Sequence, residues 1–210
     1  MRRAFLQKIL DDIKSGFVFY LSLAFFFFIG IAAGAFTALP YLQGTEFKSA
    51  LFSMLMSVSS RGVNIGNSLA GALLNNIIWM GFIILGGINI LLTPLLYITL
   101  LLEGFTFGFA ASAFIGNFGF GGFIVVLLCV LPPSGLIAVC HAKACRIAMG
   151  NAVFRFKSRK AMGRRAPLFR ELLIRFSGIA AITTLVSVLQ AVVFPYLFQW
   201  LSKTLVPFSS

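Results

Sequence analysis

The sequence predicts an all-α membrane protein: a bundle of five transmembrane helices in a single domain that covers residues 1–210. Three observations lead to this prediction. Hydrophobic residues make up 60% of the chain and charged residues only 10%, whereas a soluble domain has about 25% charged residues. The mean hydropathy is +1.00. The apolar residues also fall in runs of about 20, the length that crosses a bilayer as a helix. The predicted spans are 16–39, 70–90, 91–115, 123–142 and 176–201.

The basic residues predict the direction of these spans. Four of the 17 Lys and Arg residues lie in the amino-terminal head, 1–15, and ten lie in the segment 143–175. Cytoplasmic loops are enriched in Lys and Arg, so five spans place the amino terminus in the cytoplasm and the carboxyl terminus outside. The net charge of +12 is then a topology signal, and no nucleic-acid partner is expected. The other three basic residues, Lys48, Arg61 and Lys203, fall on the outer side.

The head and the first span follow one another directly. Apolar residues in the head recur at helical spacing, which predicts a short amphipathic helix on the inner membrane surface. The apolar run 16–39 is longer than the core of 7–15 residues that is usual in a cleaved signal peptide. We therefore interpret it as a retained span, while cleavage of this segment remains an alternative. It carries its own series of small residues at every fourth position, Gly30, Gly34 and Ala38.

The segment 40–69 is predicted to be the outer loop. Phe47, Leu51 and Leu55 recur on one face of a helix, which indicates an amphipathic helix at the outer interface. The glycine- and asparagine-containing residues 61–67 are typical of a turn. The segment is either a plain loop or a docking surface for a partner outside the cell.

The third span, 91–115, follows the second through a tight inner hairpin that Pro94 helps to end. Small residues recur at every fourth position from the middle of this span onward. Such a stripe lets a neighbouring helix approach closely, and we expect it to pack against the first span or the fourth. Its members are Gly104, Gly108, Ser112 and Gly116.

Glu103 is the one carboxylate within the predicted spans. An ionised carboxylate at the centre of a membrane helix costs roughly 2.5–3.5 kcal/mol on insertion scales. Glu103 is therefore either a proton- or ion-coupled site, or a neutral acid that hydrogen-bonds across the bundle to Asn89 or to carbonyls freed at Pro132 and Pro133. The second interpretation is favoured because the spans offer it no obvious basic partner.

The fourth span, 123–142, follows a glycine-rich turn at 116–122. Pro132 and Pro133 remove two backbone donors, which predicts a break in this helix. Such a break is tolerated in a bilayer only where other protein groups satisfy the freed carbonyls, so it should face the bundle interior. A basic cytoplasmic loop, 143–175, then leads to the last span.

No catalytic pattern is apparent. His141 is the only histidine, and no nucleophile, base and acid are spaced as a triad requires. The cluster Cys140, His141 and Cys145 has no matching pair of metal ligands elsewhere, so neither a metal nor another cofactor is predicted. Three cysteines within or beside one apolar segment also argue against a disulfide framework. The sequence predicts a protein that is not an enzyme.

Three pieces, in order, resemble the stage II sporulation protein M family across nearly the whole chain. The first is Phe27–Ala35 after the basic head, and the second is Leu102–Phe109. The third is the break at Leu131–Pro132, which is followed by a basic segment and a last span. Size and layout are similar too. The family often has a lysine where this chain has Glu103, and a related group has a Leu-Pro-His-Gly motif where Pro133 and Ser134 stand here.

The resemblance implies a scaffold without catalytic residues. Members of this family are integral-membrane proteins of the engulfment machinery in endospore-forming bacteria, located in the mother-cell membrane at the asymmetric septum. There they hold the stage II sporulation proteins D and P, which cut peptidoglycan outside the membrane. The implied partners are therefore these cell-wall hydrolases, together with membrane lipids. A different class remains open: a membrane subunit of a small transporter or channel with Glu103 in the translocation path, since discontinuous helices and buried acids mark transport sites.

Overall fold

The computed structural model describes residues 2–42, 44, 46–51, 53, 65–160 and 169–205. This part of the chain is helical almost throughout and contains no β-strand. Its five long helices are α1 (Arg2–Leu42), α2 (Ile65–Ile88), α3 (Pro94–Val125), α4 (Leu131–Lys160) and α5 (Phe169–Leu205).

Three helical stretches are long and apolar enough to cross a membrane. They are Gly16–Leu42, Gly66–Ile88 and the 67-residue stretch Ile90–Phe156, and a shorter apolar helix covers Phe176–Val192. Many large apolar side chains on them point away from the protein; Val18, for example, is 78% exposed. Such surfaces are favourable only in lipid, so the chain is an all-α, multi-pass membrane protein.

The amino-terminal head does not form a separate helix. α1 runs without interruption from Arg2 to Leu42, so the head and the first span are one element. Pro40 lies in its last turn, and only two helical residues follow it.

The outer segment lies only partly within the described residues. Residues 46–51 are helical, in the region where an interfacial helix was predicted, whereas Leu55 and most of the predicted turn at 61–67 lie outside the described part. α2 begins at Ile65, a few residues before the predicted start of the second span.

The chain reverses at Gly119, within the glycine-rich segment that was predicted to be a turn. The backbone of Gly119 has φ 56° and ψ −128°, a conformation outside the helical region. A Cβ on Gly122 would overlap the carbonyl oxygen of Phe114; in a straight helix these residues would be about 12 Å apart. The predicted turn over 116–122 was therefore too long, because one residue that tolerates positive φ suffices and helix continues on both sides.

The predicted break at Pro132 and Pro133 is also different in the structure. The prolines lie in the first turn of α4, directly after a π-helical segment, Val126–Val130. Leu131 N–H donates to the carbonyl oxygen of Val126, five residues earlier. The wider π-helical turn accommodates the two prolines, which have no backbone N–H to donate, so the helix is continuous here. Pro133 is buried and Pro132 is exposed, so only one of the two faces the interior.

The basic segment 143–175 is mostly helical, and its prediction as a loop was wrong. α4 continues to Lys160, and α5 begins at Phe169, while residues 161–168 lie outside the described part. The charged residues do not end the helix because Lys and Arg are good helix formers. They mark where the apolar surface of α4 ends, and the helix itself continues beyond that point.

One apolar core joins all five helices. α1 and α2 contribute Leu23, Met80 and Ile83, and the remaining helices add further buried side chains. Its other members are Leu96, Leu100, Ala144, Cys145, Ala148 and Phe176. α2 and α5 are also joined by a buried amide, since Asn76 Nδ2 donates to the carbonyl oxygen of Thr183 at 3.0 Å and to Ser187 Oγ.

Candidate functional site

The reversal at Gly119 lays α4 antiparallel along α3. Cys145 Sγ lies 3.8 Å from the carbonyl oxygen of Leu96, near the start of α3. Further along the pair, the side chain of Glu103 reaches that of His141. Two polar residues that are distant in the sequence are therefore neighbours within the bundle.

Glu103 and His141 form a buried polar contact between α3 and α4. Glu103 Oε1 and His141 Nδ1 share a hydrogen bond. The His141 side chain is 0% exposed and that of Glu103 is 10% exposed. Burying either group alone would be costly, whereas a paired, hydrogen-bonded arrangement offsets much of the desolvation.

This pairing corrects the expectation for Glu103. Neither Asn89 nor the carbonyls near Pro132 bind the carboxylate. Asn89 instead begins the short 3₁₀ turn Ile90–Leu92, and its Oδ1 lies 3.5 Å from Leu91 N. The partner is the single histidine, which sequence reasoning examined only as a catalytic or metal-binding residue. The available signal was that a lone acid and a lone histidine both lie in apolar segments, where polar residues pair with one another.

Each member of the pair keeps one buried polar atom without a partner among the described residues. These atoms are Glu103 Oε2 and His141 Nε2. Because a buried polar atom without a hydrogen bond is costly, these two atoms distinguish the pair from an ordinary, fully satisfied contact between helices.

The small residues on α3 lie directly beside this pair and contact α1. A Cβ on Gly104 would overlap the carbonyl oxygen of Phe27, and one on Gly108 would overlap that of Ile31. The relation is reciprocal, because a Cβ on Gly30 would overlap the carbonyl oxygen of Leu101. Gly34 is placed in the same way against Phe105.

α1 and α3 therefore run parallel, with their backbones in contact over two turns. The remaining two residues of the predicted stripe are placed differently. Ser112 is half-buried, and Gly116 faces the flexible side chain of Leu42. The close backbone approach is therefore seen at the four glycines Gly30, Gly34, Gly104 and Gly108.

The cysteines do not assemble a metal centre with His141. Cys129 and Cys145 are buried and Cys140 is partly buried, and all three are free thiols. No group of three or more His, Cys, Asp or Glu residues that could hold a metal occurs within the described ranges. The ring of His141 is directed toward Glu103.

Comparison of the chain with protein-family models, with curated proteins and with solved structures gave no match.

Proposed function

We propose that this chain is a non-enzymatic integral-membrane scaffold of the sporulation engulfment complex. It would anchor and localise peptidoglycan hydrolases at the asymmetric septum, as the resemblance to the stage II sporulation protein M family implies. The observation that supports a scaffold best is the backbone contact between α1 and α3 through Gly30, Gly34, Gly104 and Gly108. Helices packed this closely form a fixed framework, which suits a protein that holds others in place.

The proposal includes five crossings, with the amino terminus in the cytoplasm and the carboxyl terminus outside. The parallel arrangement of α1 and α3 supports it, because α2 must then cross in the opposite direction between them. The antiparallel hairpin at Gly119 supports it too, since it makes two crossings of the 67-residue stretch. The ten basic residues of 143–175 then lie on the same side as the head.

The proposed partners are the stage II sporulation proteins D and P, in the mother-cell septal membrane. Because these hydrolases cut peptidoglycan outside the membrane, they would contact the outer segments of the chain. The segment 40–69 is the longest of these, and the described residues Glu46, Lys48 and Ser49 are exposed there. Polar, exposed side chains beside an apolar bundle are typical of the rim of a protein interface.

Deletion of the gene in its host tests this function. We expect sporulating cells to form the asymmetric septum and then to fail in septal thinning and engulfment. A wild-type copy should restore engulfment and should co-purify with the two hydrolases. A matched copy with residues 46–53 replaced by a glycine–serine segment should reach the membrane and lose the hydrolases. Normal engulfment in the deletion strain, or a host that forms no endospores, would exclude the proposal.

A second function is favoured by one specific observation, the buried pair of Glu103 and His141 with its two unpartnered polar atoms. A buried acid and histidine are typical of proton relays in transporters. As a small transporter or channel subunit, the chain would carry protons or a coupled solute past Glu103. Purified protein in liposomes should then dissipate an imposed pH gradient, and Glu103→Gln should abolish this flux. If liposomes that contain the wild-type protein keep the imposed pH gradient, transport of protons alone is excluded.

A further inference from the structure

A groove opens where α1, α3 and α4 meet at the end of the bundle that carries the basic residues. It encloses about 360 Å³ and is lined by seven residues of the three helices. Among its described lining residues, Arg146 is the one that carries a charge. The lining residues are Gly16, Phe17, Val18, Phe19, Ser22, Tyr97 and Arg146.

The guanidinium of Arg146 contacts the aromatic ring of Phe19. Its Cζ lies 5.9 Å from the ring centroid of Phe19, within the range of a cation–π contact. Among the described residues Arg146 forms no ion pair. A cation–π contact orients the guanidinium but leaves its N–H donors available for an anion.

Gly16 makes room for this arrangement. A Cβ on Gly16 would come within 2.7 Å of Arg146 Nε and 3.2 Å of Arg146 Cζ. A side chain at this position would therefore require the guanidinium to shift. The groove thus depends on one small residue and one charged residue on neighbouring helices.

The groove lies at the level of the membrane surface. The apolar stretch of α1 begins at Gly16, and its 27 residues extend about 40 Å, longer than the hydrocarbon core of about 30 Å. The first turn of the stretch, with the groove, therefore reaches the headgroup region. Phe17 and Val18, on the groove wall, are 58% and 78% exposed. They offer an apolar surface to an acyl chain directly below the charge.

We propose that this groove binds an anionic phospholipid of the inner leaflet. The phosphate would accept hydrogen bonds from Arg146, a guanidinium being well suited to bidentate contact with phosphate oxygens. The hydroxyl-bearing side chains of Tyr97 and Ser22 lie on the same wall, and the first acyl carbons would cover Phe17 and Val18. Through this site the protein would contact one class of membrane lipid specifically. The proposal does not depend on the scaffold function.

Native mass spectrometry of the full chain, released from nanodiscs that contain equal amounts of phosphatidylglycerol and phosphatidylcholine, tests this site. We expect the wild-type protein to retain phosphatidylglycerol preferentially. Arg146→Ala should reduce this preference about fivefold, which is the size expected for one basic residue near an anionic surface. Gly16→Leu keeps the charge but fills the groove, so it should reduce the preference similarly.

Lys48→Ala is the matched control, since it removes the same charge from an exposed residue in the outer segment. It should leave the lipid preference unchanged. Inorganic phosphate at millimolar concentration should not displace the lipid, because it lacks the acyl chain; displacement would indicate a free-phosphate site. Equal retention of both lipids by the wild type, or a preference that survives both Arg146→Ala and Gly16→Leu, would overturn the proposal. If Lys48→Ala reduced the lipid preference to the same extent, the preference would be a nonspecific attraction of basic residues to anionic lipid, and the proposal would be wrong.

Discussion

Glu103 and His141 place two titratable side chains in contact between α3 and α4, each with a further polar atom that has no partner in the described part of the chain. Two opposing effects decide what such a pair contributes. Hydrogen bonds between membrane helices average about 0.6 kcal/mol and reach about 1.7. Removal of one partner leaves the other as an unsatisfied buried polar group, which costs about 1–3 kcal/mol. Each single variant should therefore destabilise the protein by more than the hydrogen bond between the two side chains stabilises it.

A double-mutant cycle separates these two effects. We expect Glu103→Ala and His141→Ala each to destabilise the protein by about 1–3 kcal/mol, and the double variant by clearly less than their sum. Unfolding in mixed micelles, followed by tryptophan fluorescence, measures these free energies. Glu103→Gln keeps a hydrogen-bonding group beside His141 and should cost about 1 kcal/mol. Additive single effects would show that the two side chains are not coupled.

At the scale of the elements, the parallel contact of α1 and α3 is the most demanding feature. A leucine at Gly108 would overlap the carbonyl oxygen of Ile31, so the two backbones would have to separate. We expect Gly108→Leu to cost at least 1–3 kcal/mol, the usual range for overpacking. Gly81→Leu is the control, because nothing lies within 4 Å of a Cβ on Gly81.

Thermal unfolding in detergent and the yield of monodisperse protein measure this effect. Gly81→Leu should unfold like the wild type, and Gly108→Leu should unfold earlier than both Gly81→Leu and Glu103→Gln. If Glu103→Gln were the more harmful change, the polar pair would be the more important feature of α3, and the transport function would be favoured over the scaffold.

The reversal at Gly119 gives a second prediction for the elements. Its positive φ is unfavourable for a residue with a Cβ, and such strain costs about 1–3 kcal/mol. Gly119→Ala should therefore destabilise the α3–α4 hairpin by about that amount. Gly135→Ala, in helix α4 with open space around it, should be neutral or slightly stabilising because alanine favours helix. The same unfolding measurement compares the two, and equal effects would contradict a special role for Gly119.

A feature of this protein could be predicted from the sequence when it follows the periodicity of a helix, and could not when it depends on the register between two helices. Gly104 and Gly108 repeat every fourth residue, so the sequence alone indicates that they share a face. The pairing of Glu103 with His141 depends instead on register across Gly119 and the π-helical segment. One extra residue in a helix rotates all later side chains by about 100°. The face on which His141 lies can therefore be assigned only when the backbone at Gly119 and in the π-helical segment is known.

The ends of the helices were also poorly predicted, for a related reason. Hydropathy marks where apolar surface ends, whereas hydrogen bonding along the backbone decides where a helix ends. In the head and after Lys143, the helices continue through charged residues, so the predicted loop at 143–175 was wrong. The sequence did indicate the membrane class and the helical composition, because these depend on composition and not on register.

At the scale of the whole molecule, the prediction concerns sidedness. Five crossings place Lys48 outside and Lys160 in the cytoplasm. In intact cells we expect Lys48→Cys to react with a membrane-impermeant maleimide, and Lys160→Cys to react only after permeabilisation. The unsubstituted chain, with its three native cysteines, gives the background. Labelling of both positions from the same side would exclude an odd number of crossings between them.

The parallel contact of α1 and α3 also has a consequence for biosynthesis. The partner of Gly30 and Gly34 is not made until α2 and α3 have followed α1 out of the ribosome and into the bilayer. Throughout that interval α1 carries its glycine stripe without the helix that later covers it. Insertion of α1 into the bilayer and its packing against α3 are therefore separate events. A chain that stops before Pro94 lacks α3 and cannot complete this packing.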